Sequence, residues 1–134
     1  MRTIKFRARR KNGEWVVGNF IHHFATYFNT EEHYSIFLPK PENDNGGYWV
    51  EDIDYNTVGQ FTSLYDCDGK EIFEGDILDF NGITVEVRFV RGVFAFLING
   101  DLDEELCGDC RTDLFAKVIG NIYDNPELKR NIKK

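Results

Sequence analysis

The sequence predicts a mainly β protein. Apolar and polar residues alternate instead of recurring every 3.6 residues, and turn pairs such as Asn12-Gly13, Asn81-Gly82 and Asn99-Gly100 return at short intervals. β-branched and aromatic residues fill the segments between them. At 134 residues the chain fits one domain that buries about two thirds of its unfolded surface, without staples. Its 12 Phe, 6 Tyr and 2 Trp beside a single Met predict a rigid aromatic core.

Thr3 to Arg9 alternates cleanly. Asn12-Gly13 offers a type I′ turn into a second strand over Glu14 to His22, so the chain opens on a hairpin. Phe24 to Phe28 and His33 to Leu38 read as a second pair around Asn29-Thr30-Glu31-Glu32. Pro39 to Gly47 reads as a mobile loop, with too little apolar content to offset its ordering entropy. Tyr48 to Ile53 and Thr57 to Leu64 are extended and lead into the turn Asp66-Cys67-Asp68-Gly69. Lys70 to Phe73 begins the next strand, and Gly75 lets the chain swing into Ile77 to Phe80. Ile83 to Val90 alternates, with Val85, Val87 and Phe89 on a dry face and Thr84, Glu86 and Arg88 on a wet one. Val93 to Ile98 is apolar almost throughout, which predicts a strand covered on both faces. Leu102 and Leu106, four apart in the acidic segment Asp101 to Asp113, suggest one turn of helix. Phe115 to Ile119 is the final strand, and Pro126 stops pairing because it has no amide donor. One domain over 1–134 is expected, with an N-terminal β lobe over 1–55, a C-terminal barrel over 56–128 and a basic tail over 129–134.

The formal charge is -7, and all 23 acidic residues lie between Glu14 and Glu127 beside only six basic ones. That body carries a formal -17 and repels phosphate backbones, so nucleic acid is met only through the basic ends, Arg2, Lys5, Arg7, Arg9, Arg10 and Lys11 or Lys129 to Lys134. Residues 1–20 lack a signal-peptide pattern, no apolar stretch is long enough to span a membrane, and three cysteines fit a reducing cytoplasm.

No catalytic set converges. Cys107-Gly108-Asp109-Cys110 has the spacing of a zinc knuckle, but a tetrahedral site needs two more ligands, and only Cys67, His22, His23 and His33 remain. The acidic surroundings also raise a thiol pKa, against redox use. His22 and His23 are adjacent on a strand, so they point to opposite faces, one packed and one solvated. Ser35 and Ser63 lack a nucleophile context, and nothing in the spacing pairs Cys67 with a histidine. Asp101, Asp103, Glu104 and Glu105 read as a solvated acidic surface. No cofactor or metal is expected.

Ile4-Lys5-Phe6-Arg7-Ala8, Asp68-Gly69-Lys70-Glu71-Ile72-Phe73-Glu74-Gly75-Asp76-Ile77 and Val118-Ile119-Gly120-Asn121-Ile122-Tyr123-Asp124-Asn125-Pro126-Glu127-Leu128 together resemble the YopX family of bacteriophage and prophage proteins. The match spans nearly the whole chain in order. It departs where Arg9-Arg10 replaces the usual Trp-Asp and where Tyr65-Asp66 stands for a common Thr-Gly pair. The resemblance implies an SH3-like barrel in the C-terminal part, self-association and no established activity. Asp68, Gly69, Gly75, Asp76, Gly120, Asn121 and Pro126 are read as shapers of backbone corners.

The function expected on these grounds is a cytoplasmic, non-catalytic β module in a bacterial host, a homo-oligomer that binds an unidentified protein. The alternative is a nucleic-acid accessory protein using Arg2, Arg7, Arg9 and Arg10, with Trp15 or Tyr27 stacking on bases.

Overall fold

A computed structural model describes residues 2–25, 27, 31–39, 46–106 and 111–130, which form two compact units, Met1–Gln60 and Phe61–Lys134. Both are antiparallel β structures. Among the described residues no helix is long and apolar enough to cross a membrane.

In the first unit, β1 (Phe6–Arg10), β2 (Trp15–His23), β3 (His33–Pro39), β4 (Gly47–Val50) and the opening of β5 (Ile53–Tyr65) pair in the order β4-β3-β2-β1-β5. The β1–β2 connection differs from the turn expected at Asn12-Gly13. Of that pair only Gly13 has positive φ, and the bonds Gly13 N to Arg10 O and Arg10 N to Glu14 O close a three-residue loop. Residues 15–18 of β2 pair with β1, whereas residues 19–23 pair with β3 in the register His22↔Tyr34, His23↔His33. His33 to Leu38 therefore takes the far half of β2 as its partner, not a separate strand at 24–28; Phe24 and Ala25 lie outside any strand, and Thr26 and Phe28 lie outside the described residues. The cause is strand length, since nine extended residues give β2 a free stretch beyond β1.

Cross-strand register sorts the side chains. Ala8, Val16, Ile36, Val50 and Ile53 are buried together, with Phe6, Phe20, Tyr34, Leu38 and Val58 packed against them. Burying a side chain such as Ile36 is worth roughly 1.5–3 kcal/mol. Arg7, Arg9, Trp15 and Val17 fall on the opposite face, because Arg7 stands opposite Val17 and Arg9 opposite Trp15.

The second unit holds the rest of β5, β6 (Glu71–Phe73), β7 (Asp76–Phe80), β8 (Ile83–Val90), β9 (Val93–Ile98), α1 (Thr112–Phe115), β10 (Ala116–Asn121) and α2 (Glu127–Arg130). Phe61 and Tyr65 pair with Phe73 and Glu71, and the other strands run β10-β7-β8-β9. Two-residue turns join β7 to β8 and β8 to β9, with both φ values positive at Asn81-Gly82 and at Arg91-Gly92. The core comprises Ile72, Leu78, Val85, Val87, Phe96 and Ala116. Ala95, Phe96 and Leu97 are buried in succession, so β9 is covered on both faces. Among the described residues no pairing joins β9 to β10, and the sheet is not a closed barrel.

Three expectations fail here. Glu86, read on the wet face of β8, is 2 % exposed and Phe89, read on the dry face, is 52 % exposed, whereas Val85 and Val87 are buried as expected. A central strand between β7 and β9 is covered on its second face as well, and around Glu86 the neighbours of a cavity of about 190 Å³ include Ile122 and Tyr123. Leu102 and Leu106 do not share a helical turn. The Asp101 carboxylate accepts from the Asp103 amide at 2.9 Å, and Leu106 N donates to Phe96 O, so the segment folds back along β9. The last strand starts at Ala116, because Phe115 closes α1. Most of the loop read over 39–47, the Cys107 and Cys110 pair and residues 131–134 of the tail lie outside the described residues.

Candidate functional site

The β1–β2 loop and the opening of β5 border an open cleft of about 560 Å³ lined by Arg9, Arg10, Lys11, Asn12, Gly13, Ile53, Asp54 and Tyr55. Register builds it: Arg9 stands opposite Asp54 and Arg10 opposite Ile53 across a bulge that shifts β1 against β5. Thr57 secures the bulge, its hydroxyl accepting from the Arg9 amide at 2.8 Å and donating to Asp54 O at 2.7 Å. Arg10 is occupied, since its Nε donates to both Asp52 oxygens at 3.1 Å and Glu14 lies 3.6 Å from Nη1. The Asp52 hydrogen bond, opposed by desolvation, raises the Arg10 pKa further. Among the described residues no carboxylate pairs with the exposed Lys11 ammonium.

Tyr55 ends a ladder of rings. Phe24 lies tilted against His22 at 4.0 Å, His22 stacks on Tyr34 at 4.5 Å, and Tyr34 on Tyr55 at 4.2 Å. Glu32 holds His22 through Nε2 at 3.0 Å. Burial first, then Tyr55 and Glu32, push the Tyr34 phenol pKa up. On the other face His23 stacks on His33 at 4.1 Å and lies within 3.2 Å of the Ser35 hydroxyl. That pair is not a catalytic dyad in this state, because Ser35 is fully buried and offers no hydroxyl to a substrate. His22 and His23 are both half-buried, not one packed and one solvated.

The residues singled out as nucleic-acid contacts separate. Arg7 lies over the Trp15 ring at 4.8 Å and shares its face with Arg9. Arg10 belongs to the cavity, Arg2 is exposed ahead of β1, and Tyr27 is 93 % exposed in the β2–β3 connection. The first unit carries seven basic and eight acidic residues, the second nine and fifteen, so their formal charges are -1 and -6. The acidity that argues against phosphate ligands is concentrated in the second unit.

The signature residues sit at corners of the second unit. Gly69 and Gly75 take φ of 79° and 94°. Gly75 N donates to Val87 O, Ile122 N donates to Gly75 O, and the Asp76 carboxylate, 1 % exposed, accepts from Phe73 N at 2.7 Å. Asp68 is exposed. The carboxylate that organises this turn belongs to Asp66, 3 % exposed, which accepts from the amides of Lys70 at 2.8 Å, Asp68 at 2.9 Å and, 52 positions along the chain, Val118 at 3.0 Å. Burial works against its charge, but the three amides outweigh burial and hold its pKa below the ordinary carboxylate range. Sequence reading missed this role, although an Asp ahead of Asp-Gly is a known turn former.

At the closing signature, the Asn121 carboxamide oxygen accepts from Tyr123 N and Asp124 N, and Asn125 Oδ1 accepts from Asn121 N at 3.2 Å. Pro126 leads into α2. A Cβ on Gly120 would stand 2.5 Å from Asn125 Oδ1. Gly120→Ala is therefore expected to cost about 1–3 kcal/mol, read as a lowered urea midpoint at unchanged slope.

Elsewhere, Glu105 pairs with Arg91 at 3.2 Å, and among the described residues no three His, Cys, Asp or Glu side chains gather as a metal set. Cys67 is exposed with a free thiol.

No curated protein matches the chain. Among solved structures it is similar to that of protein EF1440 from Enterococcus faecalis, with a TM-score of 0.62 and 25% identity, covering 96% of this chain and 99% of the other. A family model described as YopX protein matches residues 5–129, nearly the whole length, and the chain therefore belongs to the YopX family.

Proposed function

We propose that this protein is a non-catalytic β module that self-associates and binds another protein, with β4 as its docking edge. The supporting observation is the character of β4, which among the described residues pairs on one side only and carries Tyr48 and Trp49 at 50% and 46% exposure. An open row of backbone donors and acceptors flanked by exposed rings suits addition of a strand. Alternation sends Tyr48 and Trp49 to opposite faces, so an added strand would be gripped from both sides. The reading includes an SH3-like arrangement of the short strands within 56–128, and the phage or prophage setting and bacterial cytoplasm that the family resemblance implies.

Light scattering on the intact chain tests self-association. A mass at least twice the 15.6 kDa of one chain is expected at about 50 μM, falling to one chain in the double variant Tyr48→Lys, Trp49→Lys with its melting temperature monitored. A wild-type mass of one chain at every concentration would contradict it.

A second reading, nucleic-acid binding, is favoured by the Arg7 guanidinium over Trp15 with Arg9 on the same face. Salt-sensitive gel shifts lost in Arg7→Glu would support it, and absence of any shift at low salt would remove it.

A further inference from the structure

We infer that His23 and His33 form a two-histidine site for a divalent metal ion of the zinc and nickel type, bound reversibly on the face of the first unit's sheet opposite its core. The inference is independent of self-association and of nucleic-acid binding.

Adjacent histidines on a strand do not share an ion, because alternation sends His22 and His23 to opposite faces. The fold gives each a different partner. His22 is held by Glu32 at 3.0 Å, whereas His23 stands directly opposite His33 across β2 and β3. Cross-strand partners on one face have Cβ atoms about 4.5–5.5 Å apart, which brings two imidazoles within reach of one ion. The two rings lie 4.1 Å apart and 7° from parallel. Two nitrogens each about 2.1 Å from a tetrahedral ion stand roughly 3.4 Å apart, so the ligating edges close by less than about 1 Å as the rings splay about their soft terminal torsions.

The donor set is oriented as well as paired. The fully buried Ser35 hydroxyl lies 3.2 Å from His23 Nε2, and by accepting from Nε2–H it leaves the Nδ1 lone pair to the ion, the role of the outer partner of a metal-bound histidine. Among the described residues no group hydrogen-bonds the His33 ring, and both rings are half-buried, so an ion reaches them from solvent. Imidazole nitrogen suits zinc and nickel, while magnesium and calcium take oxygen. Among the described residues no third His, Cys, Asp or Glu joins the pair, so water fills the remaining positions and the ion exchanges, unlike a closed structural zinc.

Calorimetric titration of the full chain with NiCl2, ZnCl2 and MgCl2 at about pH 7.5, where imidazole is mostly neutral, tests the site. Cys67, Cys107 and Cys110 are replaced by serine beforehand, so that no thiolate takes the metal. One nickel or zinc ion per chain is expected, with a Kd below about 100 μM, and no response to magnesium. His23→Gln and His33→Gln should each weaken binding about tenfold or more at a melting temperature close to that of the parent chain, because the second imidazole acts at high effective concentration; His22→Gln, on the opposite face, should change it less than about twofold. Proton NMR of the chain with all three histidines in place gives a readout that does not depend on those variants folding: zinc should shift the ring resonances of His23 and His33 more than those of His22. No saturable heat with either ion up to about 1 mM, or binding that survives both substitutions, would overturn the inference, as would zinc shifts centred on His22.

Discussion

Asp66→Ala is expected to lower stability by about 3–5 kcal/mol. The carboxylate is almost fully buried and accepts from three backbone amides, and losing it strands the Val118 amide of β10 while releasing those of Asp68 and Lys70 in the turn. A buried donor left without an acceptor costs about 1–3 kcal/mol, and bonds to a charged acceptor are the stronger ones. Against a total of about 5–15 kcal/mol this is a large share, visible as a melting temperature lower by roughly 10 °C or more. Asp68→Asn, at an exposed position, should stay within about 0.5 kcal/mol of wild type.

Acid unfolding carries the same signature. The folded-state pKa of Asp66 is lowered, so its stabilisation is fully present above the ordinary carboxylate value near about 4 and is lost as pH falls through the folded value. Asp66→Asn removes that titration, so stability should fall less between about pH 4 and pH 2 in the variant than in wild type. Urea unfolding at several pH values reads both.

Gly18→Ala should be comparably severe, about 3 kcal/mol or more. A Cβ there would overlap the carbonyl oxygen of Phe37 and stand 3.1 Å from Ile36 Cγ2, and since the first contact is backbone, β2 and β3 must move apart. Gly18 is the residue at which β2 passes from pairing with β1 to pairing with β3. The displacement therefore reaches the register that stacks His22 on Tyr34 and Tyr34 on Tyr55. Thermal unfolding followed by aromatic circular dichroism should show both the lower transition and a changed near-ultraviolet band; an unchanged spectrum and midpoint would contradict the packing described.

Local signals carried much of this fold. Period-two alternation in β8 and a continuous apolar run in β9, set off by Asn81-Gly82 and Arg91-Gly92, mark both strands over the bounds the structure shows, because two-residue turns leave the flanking strands little freedom of register. Signals that depend on distant partners were not legible. Glu86 looks like a solvent residue by alternation and is buried because β8 is central and its second face is covered. The partner of β3 depends on how far β2 outruns β1. Asp66 looks like an ordinary turn residue until the fold brings Val118 to it. At the cavity the basic run Arg9-Arg10-Lys11 stands out in the sequence, but nothing near it names Tyr55, which arrives through the bulged pairing of β1 with β5.

The central claim is that the signature acts as a clamp on the backbone and not as a reacting centre. Amide hydrogen exchange at Lys70 and Val118 tests it most directly. The account predicts that both amides exchange slowly in wild type, at rates near those of global unfolding, and at least about a hundredfold faster in Asp66→Asn, while β9 amides shift only with overall stability. Fast exchange of Lys70 and Val118 in the wild-type protein, or rates unchanged by the substitution, would contradict it.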